Sequence, residues 1–269
     1  MKFYGLLGEK LSHSLSPQLH KEIYNTAQIQ AGYKLFSFPP AEMEEAISAI
    51  RLLSIDGVNV TIPYKETVIP YLDELSAVAE SLQVVNTIHN VKGRLIGHNT
   101  DYEGFGMIFI RRKWQIADRS FVILGTGGAA KMALTYLIDH GAEKITLVSR
   151  KAGQVSRNSK VSYTTYHKLV NLKADYLVNT TPVGMFPNSD SSPVSEKELE
   201  PFGCVIDLIY NPEHTRLLSS AKKQGKPVAN GLDMLIGQAV RSVEIWEEKQ
   251  ISDKVIEKLI HDFHQWKEG

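Results

Sequence analysis

The segment that most constrains this chain is Phe121-Val122-Ile123-Leu124 running directly into Gly125-Thr126-Gly127-Gly128-Ala129-Ala130. The four apolar residues read as a strand, and a helical pattern follows from about Gly128 to His140. A strand, a glycine turn and a helix N-terminus in that order aim backbone N–H groups and the positive end of the helix dipole at one point. That point suits a pyrophosphate. Ala130 stands where a third glycine is common, and a small residue serves there for helix–strand packing. A ligand-free tight turn would use the same glycines, so the flanking strand and helix are what favour a dinucleotide.

The next strand end narrows the cofactor. Lys144 to Val148 reads as a strand, and Ser149-Arg150-Lys151 follows it, with no Asp or Glu between Glu143 and Asp175. An NAD site expects an acid near this place to hold the ribose 2′-hydroxyl. A guanidinium beside an ammonium instead suits a 2′-phosphate. NADP(H) is the expected cofactor; the alternative is that Arg150 and Lys151 are ordinary solvated loop charges.

Strand-like runs continue at Asp175–Val178, Cys204–Leu208 and Lys226–Ala229, and precede the glycine turn at Phe3–Leu7, Tyr33–Phe38 and Gly57–Val60. Between the last two, Met43, Ala46, Ile47, Ile50 and Leu53 share one helical face. The alternation predicts an α/β chain of two domains. An N-terminal α/β substrate domain with a mainly parallel sheet takes residues 1–101 plus 235–269. A Rossmann-like NADP-binding domain takes residues 102–234. Pro187 to Pro193 reads as an exposed loop, and Val255, Ile256, Leu259, Ile260, Phe263 and Trp266 as the packed stripe of a terminal helix.

Composition bounds the partners. Among 269 residues, Lys plus Arg and Asp plus Glu both number 30, which argues against nucleic acid or an anionic membrane surface. The single Cys204 excludes an internal disulfide and a cysteine-cluster zinc site, and reads as a buried strand thiol. No run reaches the ~18–20 apolar residues of a membrane span, and no secretory signal pattern is present. A soluble cytoplasmic protein is the expectation from composition.

Polar groups recur at strand ends. Ser14 and Ser16 follow the first strand; in an extended stretch their hydroxyls point the same way and could hold a carboxylate. Ser16 before Pro17 also reads as a helix N-cap, the role its local pattern favours. Asn59 and Thr61 alternate with apolar Val60 and Ile62 before Pro63-Tyr64-Lys65. Lys65 begins a helix, an unfavourable place for a cation, although a surface lysine is the commoner case. Val84-Val85-Asn86-Thr87 and Asn99-Thr100-Asp101 supply more. Parallel sheets open their crevice at such ends, so one pocket is expected.

These segments in this order resemble the shikimate dehydrogenase family across essentially the whole chain. The similarity is carried by Ser12-His13-Ser14-Leu15-Ser16-Pro17, Gly57 to Lys65, Val85-Asn86-Thr87 and Asn99 to Gly104. Further along it is carried by the glycine turn, Asn179 to Met185, Asp207 to Pro212 and Gly231 to Gln238. The resemblance implies reversible NADPH-dependent reduction of 3-dehydroshikimate to shikimate, a step toward chorismate and the aromatic amino acids. It implies that Ser14, Ser16 and Tyr210 bind the substrate carboxylate, that Thr61, Asn86, Asp101 and Gln238 hold ring hydroxyls, and that Asn59 supports the pocket. Lys65 and Asp101 become the catalytic pair, with no metal needed because an ammonium can stand in for a Lewis acid. Gly125, Thr126, Gly127, Gly128, Ala129, Ser149, Arg150, Lys151, Thr180 and Gly231 become cofactor contacts. The chain departs from the family pattern at Ser149 and Lys151, where Asn and Thr are usual around the arginine. It also departs at Lys131, and at Asn230 and Asp233 before Met234. Two other readings are a quinate/shikimate enzyme with relaxed substrate or NAD use, and a catalytically silent nucleotide-binding regulator.

Overall fold

The computed structural model describes residues 1–151 and 155–267; the side chain of Trp266 lies outside the described residues. The chain divides into two units, Met1–Gly104 with Ile236–Gly269, and Phe105–Leu235.

The first unit begins β1 (Lys2–Gly8), α1 (Ser16–Ala27), β2 (Ala31–Ser37), α2 (Met43–Leu52), β3 (Gly57–Val60) and α3 (Tyr64–Thr67). It continues β4 (Glu74–Leu75), α4 (Ala77–Leu82), β5 (Thr87–Val91), β6 (Arg94–His98) and α5 (Asp101–Arg112), the last of which crosses into the second unit. The strand order is β2-β1-β3-β5-β6-β4. All pairings are parallel except those of β5, which runs against both β3 and β6. The expected mainly parallel sheet is therefore present with one reversed strand. Reversal brings the start of β5 beside the ends of β3 and β6: Thr87 pairs with Asn59 on one side and His98 on the other. Asn86 thus precedes a strand, where a strand end was expected, and still reaches the same sheet edge.

Alternating burial builds this core. Leu7, Val58, Val60, Val85, Ile88 and Leu95 pack with Met43, Ile47 and Ile50 of α2, each fully buried aliphatic contributing about 1.5–3 kcal/mol. Leu53, expected on the same helical face, is 67% exposed because α2 ends at Leu52.

The second unit holds β7 (Ser120–Leu124), α6 (Gly128–Asp139), β8 (Lys144–Ser149), β9 (Val161–Thr165) and β10 (Ala174–Asn179). Then come α7 (Glu196–Leu199), β11 (Phe202–Asp207), α8 (Arg216–Lys223), β12 (Val228–Ala229) and α9 (Leu232–Glu247), whose later turns belong to the first unit. The sheet is entirely parallel in the order β12-β11-β10-β7-β8-β9. That is the doubly wound Rossmann order, with its switch point between β7 and β10. Strands buried on both faces read as continuous apolar runs, which is why Phe121 to Leu124 and Tyr176 to Val178 stand out. Cys204 is only half-buried, not the buried thiol expected.

The terminal stripe forms two helices, α10 (Asp253–His261) and α11 (Phe263–Lys267), with Ile256, Leu259 and Phe263 buried. Among the described residues no helix is long and apolar enough to cross a membrane.

Candidate active site

In the first unit the polar groups gather where β1, β3 and β6 end and β5 starts. Lys65 lies in the short α3, and its carbonyl accepts the Val85 N–H at 2.8 Å. Asp101 opens α5, where the helix dipole favours a carboxylate. Lys65 Nζ donates to Asp101 Oδ2 at 2.6 Å, with the side chains 28% and 20% exposed. The pair is formed yet open to a ligand.

Beneath it runs a buried hydroxyl–amide network. Asn59 Nδ2 donates to Thr87 Oγ1 at 3.0 Å and Ser242 Oγ at 2.8 Å, while Asn59 Oδ1 accepts the Tyr33 hydroxyl at 2.9 Å. Asn86 Nδ2 donates to Thr100 Oγ1 at 3.0 Å, and Asn86 Oδ1 accepts the Thr100 N–H at 2.7 Å. Ser242 Oγ in turn donates to the carbonyl of Gln238 at 2.9 Å, which ties α9 to the same network. Asn59 thereby spends both its amide hydrogens and its carbonyl on the protein, as a supporting residue would. Asn86 keeps one amide hydrogen for a ligand.

The network explains what local sequence reasoning overlooked. Tyr33 and Ser242 lie far apart in the chain and carry no motif of their own, while Thr87 and Thr100 sit inside recognised polar segments that give them no role by themselves. His20 also belongs here: it is 1% exposed and stacks on Tyr33 at 4.0 Å between ring centroids. Burial lowers its pKa to about 3 against a weaker raising effect of a hydrogen bond with Asn59, so the imidazole is neutral near pH 7.

Two expectations around α1 are corrected. Leu15, not Ser16, occupies the N-cap, and no side chain caps the helix; Ser16 lies inside the first turn with Pro17. Nor is the stretch extended, since Leu15 has φ −81° and ψ −4°, so strand alternation does not align the two hydroxyls. Ser14 Oγ instead accepts the Ser16 N–H at 3.2 Å, closing the turn. Thr61 follows β3 and is half-buried, its N–H bonded to the Leu7 carbonyl at 3.0 Å.

In the second unit Gly125 follows β7 with φ +112°, a backbone that L side chains rarely adopt, and a Cβ there would meet Thr180 Oγ1 at 2.8 Å. Thr180 is fixed by donating its hydroxyl to the Leu124 carbonyl at 2.7 Å. After the turn, Cβ atoms at Gly127 and Gly128 would meet nothing within 4 Å. No side chain caps α6 at Gly127. Free first-turn N–H groups beside open space are what a bound pyrophosphate requires, so the site fits a dinucleotide. Thr126 and Ala129 flank these glycines in the same turn.

Beyond β8, Arg150 and Lys151 are exposed, whereas Ser149 is buried and its hydroxyl donates to the Lys151 carbonyl. Ser149 thus shapes the turn that presents the two cations. Tyr210 follows β11 half-buried, and burial holds its hydroxyl pKa above the ordinary value. Gly231 packs against the carbonyl of Leu208, leaving no room for a Cβ, and its N–H bonds the Ile209 carbonyl at 3.0 Å. Its visible role is close backbone packing beneath the Tyr210 loop. The unusual Asn230 and Asp233 are accommodated. Asn230 Oδ1 accepts the Leu232 N–H at 3.2 Å, and the Asp233 carboxylate is held by Arg112 and by Arg111 Nε at 3.0 Å.

Comparison with known proteins bears on both units. Residues 6–88 match the family described as the shikimate dehydrogenase substrate binding domain. A shikimate dehydrogenase (NADP(+)) of Clostridium beijerinckii is 45% identical over 265 residues, covering 98% of each chain. The solved shikimate 5-dehydrogenase of Thermus thermophilus, in complex with NADP(H) and shikimate, is 27% identical with a TM-score of 0.84, covering 97% of this chain and 99% of that one. The enzyme from Listeria monocytogenes, in complex with shikimate and NAD, is 29% identical with a TM-score of 0.87, covering 97% and 96%.

Proposed function

The chain belongs to the shikimate dehydrogenase family, and we propose that Lys65 and Asp101 handle the proton of its reaction. That reaction is the reversible NADPH-dependent reduction of 3-dehydroshikimate to shikimate. The cofactor NADP(H), when bound, supplies the hydride that reaches the C3 carbonyl of the substrate.

The observation that carries the assignment is the 2.6 Å contact between Lys65 Nζ and Asp101 Oδ2 in a pair that ligands can still reach. As the carbonyl is reduced, negative charge grows on its oxygen. An ammonium at Lys65 lowers the energy of that charge and delivers the proton. Asp101 holds the ammonium in place and accepts the neighbouring ring hydroxyl. Ser14, Ser16 and Tyr210 take the carboxylate, Thr61, Asn86 and Gln238 take hydroxyls, and Asn59 keeps the network beneath them in register. On the cofactor side, the Gly125–Ala129 turn and Thr180 take the pyrophosphate region. Arg150 and Lys151 take the 2′-phosphate, with Ser149 and Gly231 shaping their loops. The residues 1–101 with 235–269 serve as the substrate domain and 102–234 as the NADP domain. Equal numbers of acidic and basic residues fit an enzyme without a nucleic-acid or anionic-membrane partner, acting in the cytoplasm as a monomer or homodimer.

Asp101→Asn tests the pair. It preserves shape and removes the charge that orients Lys65. Steady-state assay is expected to give a kcat lowered by about 10² or more together with a raised KM for shikimate. Unchanged kcat would remove Asp101 from the proton-handling pair.

NAD use is the second reading, favoured by the Listeria monocytogenes complex. Arg150 and the absence of an acid between Glu143 and Asp175 weigh against it here.

A further inference from the structure

The sheet order of the second unit fixes which loops meet each half of the cofactor. A 2′-phosphate held by Arg150 lies beyond β8, and a pyrophosphate at the Gly125 turn lies beyond β7. The other half must then cross to the far side of β7, over the ends of β10 and β11. Those ends carry the loops 180–186 and 208–215.

Both loops are tied to one carboxylate. Asp207, the last residue of β11, is 0% exposed. Its Oδ1 accepts Asn179 Nδ2 at 3.0 Å and the Ile209 N–H at 3.2 Å, and its Oδ2 accepts the Thr215 hydroxyl at 2.7 Å. Asn179, equally buried, passes the tie outward. Its Oδ1 accepts the Thr181 N–H at 3.0 Å and the Thr181 hydroxyl at 2.7 Å, and Thr181 Oγ1 accepts the Val183 N–H at 3.3 Å. The two loops also meet directly, Phe186 N–H donating to the Asn211 carbonyl at 3.1 Å.

We infer that Asp207 is a positioning residue for the nicotinamide half of the cofactor, holding loops 180–186 and 208–215 as one floor through Asn179, Ile209 and Thr215. The inference rests on the cofactor assignment above. Burying an ionisable acid opposes folding even when it is hydrogen-bonded. Burial pushes this carboxyl up to about 6, with the Thr215, Ile209 and Asn179 donors pulling the other way. A requirement for stability alone would be met as well by a neutral side chain, whereas three strong acceptor sites at the junction of two ligand loops serve placement.

The test compares binding of NADPH with that of adenosine 2′,5′-bisphosphate, a fragment lacking the nicotinamide half. Two variants are used. Asp207→Ala removes the hub, and Thr181→Val cuts the relay at its half-exposed end, so the test survives if the first variant does not fold. Asp207→Ala is expected to weaken NADPH about tenfold or more and to lower kcat, with the fragment bound within about twofold of the parent. Thr181→Val is expected to shift the NADPH-to-fragment ratio in the same direction by about threefold. Equal weakening of both ligands, or an unchanged ratio in every variant that folds, would overturn the inference while leaving the cofactor site standing. Failure of the parent itself to bind the fragment would overturn the cofactor assignment and the inference together.

Discussion

Lys65→Ala is expected to lower kcat by about 10²–10⁴-fold while the dissociation constant for shikimate moves by less than about fivefold. The asymmetry follows from where charge appears. In the ground state the C3 oxygen is neutral, and in the proposed site other groups would hold the substrate: the serines, Thr61, Asn86 and Gln238. Only as hydride arrives does that oxygen need an ammonium, so removing Lys65 raises the transition state far more than the bound state. Folding is not the confounder. The Lys65–Asp101 contact is partly solvated, 28% and 20% exposed, and such pairs contribute at most about 1 kcal/mol to stability. Stopped turnover with weakened binding in equal measure would make Lys65 a positioning residue. Surviving turnover would exclude it from proton transfer.

The second large effect belongs to Arg150→Ala, which is expected to raise the KM for NADP about tenfold or more while the KM for shikimate stays within about twofold. Arg150 is exposed beyond β8, so its loss is expected to be felt chiefly by a ligand bound there. Hydrogen bonds between a guanidinium and a phosphate are worth roughly 1.5–3 kcal/mol. NAD lacks the 2′-phosphate, so any activity with NAD should be indifferent to the substitution. Equal increases in the two Michaelis constants, or an equal loss with NAD, would remove the phosphate clamp.

Legibility in the sequence tracked how local the physics is. The Gly125 turn is legible because a buried parallel strand, a glycine turn and a helix start are each encoded within a few residues, and the alternation points to a Rossmann-like domain without giving its strand order. Lys65 and Asp101 are 36 positions apart and nothing local joins them; only the family resemblance pairs them in the sequence, and in the fold their side chains lie 2.6 Å apart. The start of α1 differs from the expectation because Ser16 and Pro17 fit an N-cap followed by proline as well as a first turn. The reversed β5 was invisible because Thr87 to Val91 carries no signal of direction. Asp207 sat in a recognised segment, yet its importance lies in partners at positions 179, 209 and 215, which only the folded sheet brings together. The bonds that join Asn59, Thr87 and Thr100 to Ser242 are not legible in the sequence for the same reason, although the segments holding the first three are.

The most direct measurement is kcat/KM for the purified protein with shikimate and with quinate, each paired with NADP⁺ and with NAD⁺. The expected result is that shikimate with NADP⁺ exceeds every other pairing by about tenfold or more, as the proposed roles of Arg150 toward the 2′-phosphate and of the polar groups toward one polyol require. Comparable efficiency with NAD⁺, a preference for quinate, or no shikimate-dependent NADPH formation at all would contradict it.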